Sequence, residues 1–161
     1  MSDMSTTAYR AGEKQGLGKH WAVAAGHPLA VRAAQAMLEL KGSAVDAAIA
    51  ADAVMGVVEP MATGIGGDLL AMIASPDSMP VAYNGSGAAP LLLKAEHVLA
   101  LSGGRIPERH VLSITTPGLV RGWWDMHQRY GRLDWACLFQ PAIQAARKGF
   151  AVAPVAAREW Q

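Results

Sequence analysis

Residues 42 to 68 read GSAVDAAIAADAVMGVVEPMATGIGGD. Ser43 and Asp46 stand at capping-box spacing, where each side chain can satisfy a backbone donor left orphaned at a helix start. From Ala44 to Val58 the pattern is apolar nearly all round, broken only by Asp46 and Asp52. A helix with no polar face has to lie at the centre of a fold. Pro60 ends it. A glycine loop at 63 to 68 then feeds a strand from Leu69 to Ala74, with no room for an intervening helix. A buried helix passing through glycines into a strand places the chain in the mixed α/β (α+β) class.

Working outward, Trp21 to Ala25 (WAVAA) reads as a short buried strand. A helix over Pro28 to Lys41 follows, with Arg32, Gln35 and Glu39 forming one polar stripe. Pro28 suits the first turn, and Gly42 suits the left-handed residue after the last. Downstream, Pro76-Asp77-Ser78 turns the strand back into Val81 to Tyr83, a hairpin. Helices are expected around Leu92 to Leu101, over Leu119 to Tyr130, and over Trp135 to Arg147 closed by Gly149. An extended run is expected from Val111 to Thr115. Residues 1 to 19 read as a flexible arm and 20 to 161 as one unit. After Pro154 the chain carries the composition of a helix just begun, so the unit is expected to be the first part of something longer.

The chain has 161 residues, 52% of them hydrophobic and 17% charged, against a typical charged fraction of roughly a quarter. Much of it must therefore be buried. Fourteen Lys and Arg balance thirteen Asp and Glu, and no basic block exists to draw nucleic acid or an anionic membrane. A single cysteine, Cys137, excludes an internal disulfide framework. The first twenty residues carry Arg10, Glu13, Lys14 and Lys19 with no apolar core, so no signal peptide is expected. The apolar stretch 44 to 58 is too short to span a bilayer, which takes roughly 20 residues. A reducing cytoplasm fits these features.

Candidate chemistry is sparse. Gly64-Ile65-Gly66-Gly67-Asp68 invites a nucleotide-loop reading, but position 69 is Leu, and the glycines follow a helix and open a strand, the reverse of a dinucleotide loop. No Walker lysine is present, so no cofactor is expected. The glycines read foremost as a tight backbone crossing and, second, as a nest of backbone donors lining a pocket. The histidines (20, 27, 97, 110 and 127) show no metal-ligand spacing, so no metal is expected. His127 reads as solvated; His27, at a strand end, reads as capable of facing a pocket. Cys137 sits among Leu138 and Phe139 as a small apolar residue with nothing to depress its pKa. Asp52 must pair, with Arg32 or a backbone N–H, or face solvent. Ser113, Thr115 and Thr116 have no evident base. No catalytic group can be assembled from spacing alone. One feature stands out: YNGSGAAP (83 to 90) surrounds Asn84 and Ser86 with small residues.

Three strings, GSAVDAAIAADAVMGVVEPMATGIGGD, YNGSGAAP and TTPGLVRGWWDMHQRYGRLDWACLFQPAIQAARKGF, together resemble the N-terminal part of the γ-glutamyltranspeptidase family. Its patterns G-N-A-V-D-A-A, G-V-V-E-P-x-x-x-G-I-G-G, P-G-x-x-x-G and Y-G-x-L-x-W recur in order from about Trp21 to Val152. The resemblance implies the first portion of a four-layer αββα sandwich of N-terminal-nucleophile hydrolase type. It implies a precursor that cuts itself in two, with the new N-terminal threonine of the smaller subunit attacking a substrate amide and using its own α-amine as base. That nucleophile lies outside these residues, so no catalytic residue is expected in this chain. The implied partners are the rest of the large subunit, the small subunit and a small amide substrate.

In the family, an arginine in a segment like R-E-x-A-P binds the α-carboxylate of a γ-glutamyl group, a bidentate task suited to a guanidinium. Counting back from Ala89-Pro90, the arginine position here is Ser86 and the glutamate position Gly87. A hydroxyl cannot neutralise a carboxylate, and Gly85 and Gly87 are expected to leave room around it. Substrate binding is assigned to Ser86 and Asn84, with Gly64, Gly66 and Gly67 as pocket backbone. The S-G bend is similar to the amidohydrolase branch of the family, which includes oxamate amidohydrolase and cephalosporin-acylase-like proteins. The expected function is cleavage of a small, oxamate-like amide. The alternatives are a γ-glutamyltransferase or glutathione hydrolase that recruits another cation, and a non-catalytic fragment standing alone.

Overall fold

The computed structural model describes residues 18–107 and 110–160; the greater part of the arm expected over 1 to 19 lies outside them. The elements run α1 (Pro28–Glu39), α2 (Ala44–Val58), β1 (Leu69–Ser75), β2 (Ser78–Gly85), α3 (Ala95–Leu99), α4 (Leu119–Tyr130), α5 (Trp135–Leu138), α6 (Gln140–Lys148) and α7 (Pro154–Glu159). As its composition requires, α2 is the centre. Its Ile49, Val54 and Val58 are fully buried, each worth roughly 1.5–3 kcal/mol relative to exposure. Alanines at 47, 50 and 53 let α1, α4 and α6 approach closely around it.

The hairpin forms one antiparallel sheet, pairing Leu69 with Gly85, Ala71 with Tyr83 and Ile73 with Val81. Between the Ile73–Val81 and Ser75–Ser78 pairs, Ala74 alone opposes Met79 and Pro80. A bulge at that point suits Pro80, which has no N–H to give a ladder. Leu69, Ala71, Ile73 and Tyr83 pack on the helices, while Leu70, Met72 and Met79 face outward and stay largely exposed. Among the described residues this is the only sheet, with helices on one face.

Several local expectations are corrected. Residues 21 to 25 form no strand: they have no partner strand among the described residues, and only Val23 is half-buried. After α1 the left-handed residue is Lys41 (φ 67°), in a Schellman closure where Gly42 N–H reaches Met37 O (2.9 Å) and Lys41 N–H reaches Leu38 O (3.0 Å). Gly42 is needed for space instead, since a Cβ there would sit 2.7 Å from both Met37 O and Leu133 Cδ1. The helix expected over 92 to 101 shrinks to α3, cut off downstream by Gly103 and Gly104 at positive φ. Residues 111 to 113 make a 3₁₀ turn because His110 Nδ1 accepts Leu112 N–H (3.2 Å) and Ser113 Oγ donates to His110 O (2.6 Å). The helix expected over 135 to 147 breaks at Phe139: Pro141 lacks an N–H and its ring excludes the carbonyl four residues back, so α6 restarts with the proline in its first turn.

The capping box forms, and Asp46 does more than cap. Its Oδ2 accepts the N–H groups of Ser43 (2.7 Å), Arg132 (2.9 Å) and Leu133 (3.3 Å), with no part of the residue exposed. One carboxylate thus joins the α1–α2 corner to the turn leaving α4. His127, expected in solvent, lies in the same place. Its Nε2–H donates to Leu133 O at 2.9 Å and stands 3.7 Å from Asp46 Oδ1. His27 is buried as the N-cap of α1, its Nδ1 accepting Leu29 N–H. Asp52 pairs with neither Arg32 nor a backbone N–H; Trp123 Nε1–H donates to its Oδ2 at 3.0 Å, a partner 71 residues away that helix spacing does not reveal.

Replacing Asp46 with alanine strands three backbone donors in a buried place. The expected loss is about 3 kcal/mol in a urea titration. Asp46→Asn, which keeps one acceptor oxygen, should lose less. A loss below about 1 kcal/mol for the alanine variant would contradict the role given to this carboxylate.

Candidate functional site

Three loops whose sequences stand out meet at the open end of the hairpin. The first is the glycine loop 63 to 68. Gly67 N–H closes on Gly64 O (2.9 Å), and Gly67 O accepts Gly118 N–H (3.1 Å) and Leu119 N–H (2.9 Å) at the start of α4. The second is the bend after β2. Asn84 Oδ1 accepts Ser86 N–H (3.0 Å), an Asx turn that holds the serine at its tip. The third is Thr115 to Gly118, which runs beside the bend and donates Thr116 N–H to Ala88 O (2.9 Å).

Backbones cross here at minimal distance. A Cβ on Gly87 would lie 1.5 Å from Thr116 O, and one on Gly118 would lie 2.0 Å from Gly85 O. The expectation that Gly87 leaves room beside Ser86 is therefore corrected: its missing side chain is occupied by the neighbouring carbonyl. A glutamate at this position would require the two segments to separate.

Asp68 fastens the crossing. Its Oδ1 accepts Gly87 N–H (2.7 Å) and the Thr115 hydroxyl (3.4 Å). The carboxylate that ends the glycine loop thereby ties the bend to the third loop. Reading the sequence missed this residue, although its place directly after GIGG was the available signal.

The result is a cleft of about 360 Å³ whose walls include Tyr83, Asn84, Ser86, Gly87, Pro117 and Arg121. Ser86 and Asn84 both line this cleft. Gly64, Gly66 and Gly67 lie outside these walls. The floor is largely backbone and small side chains, and Ser86 is exposed to it. Arg121 and Tyr83 are linked through Asp125: Tyr83 Oη–H donates to Oδ2 (3.0 Å) and Arg121 Nε–H to Oδ1 (2.8 Å). The tyrosine's hydrogen bond, then the arginine, hold the Asp125 carboxyl below its ordinary value. Burial, then the same hydrogen bond, push the Tyr83 phenol up. Each shift preserves a charged acceptor and a neutral donor around neutral pH. A smaller recess of about 280 Å³ lies between α1 and α6, edged by Arg32 and Lys148. Among the described residues no group of His, Cys, Asp or Glu could hold a metal ion, and no helix is long and apolar enough to cross a membrane.

A family model described as Gamma-glutamyltranspeptidase matches residues 30–161. Glutathione hydrolase 3 of Arabidopsis thaliana is 39% identical over 119 residues, covering 73% of this chain and 18% of that protein. Acylase ACY 1 proenzyme of Pseudomonas sp. (strain SE83) is 33% identical over 151 residues, covering 88% of this chain and 27% of its own length. The crystal structure of Helicobacter pylori gamma-glutamyltranspeptidase superposes with a TM-score of 0.81 at 32% identity, over 90% of this chain and 42% of that one. The chain spans about a fifth of the length of the curated relatives it matches first. The mixed helix-and-sheet fold expected from the sequence is that of these neighbours.

The crossing makes a direct prediction. Gly87→Ala forces the Thr116 carbonyl away and should lower stability by about 2 kcal/mol or more in chemical denaturation. Ser86→Ala, at an exposed tip, should change it by less than about 0.5 kcal/mol. Equal effects at the two positions would contradict the steric reading.

Proposed function

Because this chain belongs to the γ-glutamyltranspeptidase family, we propose that it forms the acyl-recognition part of an autoprocessed N-terminal-nucleophile amidohydrolase. In this reading, a threonine supplied from outside these residues attacks the amide carbon. Its α-amine takes the proton from the hydroxyl and returns it to the leaving amine. The residues described here place the acyl group. Asp68 fixes the bend, Asn84 fixes the tip, and Ser86 offers a donor or acceptor into the cleft.

The observation that carries the substrate assignment is the pair Ser86–Gly87. A hydroxyl stands where the family's carboxylate-binding arginine would be, and the next position has no space for that arginine's glutamate partner. Such a cleft suits a short, oxamate-like amide better than a full γ-glutamyl group. Glutathione hydrolase remains the second reading, favoured by one observation: a guanidinium, Arg121, is already in the cleft wall. The matched relatives include both a glutathione hydrolase and an acylase.

The partners in this proposal are the remaining large-subunit segment and the small subunit of one precursor. The outward apolar face of Leu70, Met72 and Met79 suits burial against them. The lone, half-buried Cys137 suits a reducing cytoplasm.

The test compares kcat/KM of the processed enzyme for oxamate and for a γ-glutamyl anilide. Oxamate should be preferred, and the 161-residue chain alone should turn over neither. Each tenfold difference corresponds to about 1.4 kcal/mol of transition-state binding. Ser86→Arg should improve the γ-glutamyl substrate by about tenfold, limited because no carboxylate at 87 orients the new guanidinium. If the unmodified enzyme prefers the γ-glutamyl anilide, the glutathione hydrolase reading replaces the first.

A further inference from the structure

Arg121 is a guanidinium committed at one end only. Its Nε–H is bonded to Asp125, and among the described residues neither η nitrogen has a partner. The side chain is 77% exposed, so as a stabilising i,i+4 ion pair it is worth little. Its setting differs from an ordinary surface pair. The Asp125 carboxylate is held from its other oxygen by Tyr83, which belongs to the hairpin and to the cleft wall. A strand residue thereby fixes the azimuth of a helix residue's guanidinium. The η edge left over is the two-donor fork that matches a carboxylate.

The charges agree. Arg129, which also acts on Asp125 and Tyr83, stands in the last turn of α4 and edges a separate recess beside Gly42 and Ser75. Asp68, the other nearby acid, lies behind the bend and accepts from Gly87 N–H and the Thr115 hydroxyl. Arg121 is thus the one charged side chain among the described residues that line the cleft, with Asp125 and Asp68 both outside its walls.

We propose that Arg121 is the specificity-determining cation of the Ser86 cleft, binding a carboxylate on the acyl side of the substrate through its η nitrogens, with Asp125 and Tyr83 as positioning residues. The proposal rests on the cleft being the acyl site. It explains how a site with serine at the usual arginine position can still favour an anionic acyl group: the charge comes from the first turn of α4, across the cleft. A short substrate such as oxamate has its carboxylate one bond from the scissile amide, and Ser86 is small enough to leave that approach open.

The test pairs each acid with its carboxamide: oxamate with oxamide, and a γ-glutamyl anilide with the same compound amidated at the α-carboxylate. In the processed enzyme the acid of whichever pair is turned over should be favoured by about tenfold to a hundredfold in kcat/KM. Arg121→Gln should reduce that ratio to within about threefold of unity, mainly through KM, and Arg121→Lys should restore part of it. Tyr83→Phe should lower the ratio less than Arg121→Gln does. In parallel, oxamate titrated against the protein should shift the Ser86 amide resonance, and Arg121→Gln should abolish that shift. An acid-to-carboxamide ratio or an oxamate-induced shift that survives Arg121→Gln overturns the proposal. Loss of all turnover with the Arg121-dependent shift retained would count against the amidohydrolase reading and leave the carboxylate assignment standing.

Discussion

The contact between Gly87 and the Thr116 carbonyl sets the geometry on which the rest of the site depends. Two backbone segments that run this close admit no Cβ at 87 or at 118. The distance is enforced by hydrogen bonds on both sides, from Thr116 N–H to Ala88 O and from Gly87 N–H to Asp68 Oδ1. The glycine loop completes the arrangement by giving its Gly67 carbonyl to the first two donors of the α4 start. Helix, hairpin and loop therefore meet at one point, and the cleft is the concavity left between them.

That point rests on what lies beneath it. Helix α2 offers no polar face, so every neighbour must cover it, and α4 is fixed against it by Trp123, which is buried and bonded to Asp52. At the far end of α4, Asp46 gathers three backbone donors from two separate turns. With both ends of α4 held, the position of Arg121 relative to β2 is set by the fold and refined by Asp125 and Tyr83.

Much of this was legible in the sequence, and the residues show why. The buried helix, its capping box and the hairpin follow from local periodicity and spacing, which act over a few residues. Ser86 and Asn84 could be singled out because their neighbours are so small. What could not be read was long-range: Asp52 finding Trp123, Asp68 finding Gly87, Asp125 finding Tyr83. Each pairs residues 19 to 71 positions apart, and no local rule selects among the polar groups available. The glycines were recognised but partly misread. Gly42 and Gly87 are small because another backbone or side chain occupies their space, which a sequence cannot distinguish from open room.

The most direct test of the account is a crystal structure of the processed enzyme with a slowly turned-over acyl amide bound. The account predicts the acyl group between the Ser86 hydroxyl and the Arg121 guanidinium, with the Gly87–Thr116 crossing intact. An acyl group bound elsewhere, as in the recess between α1 and α6, or a crossing opened to admit it, would contradict the account.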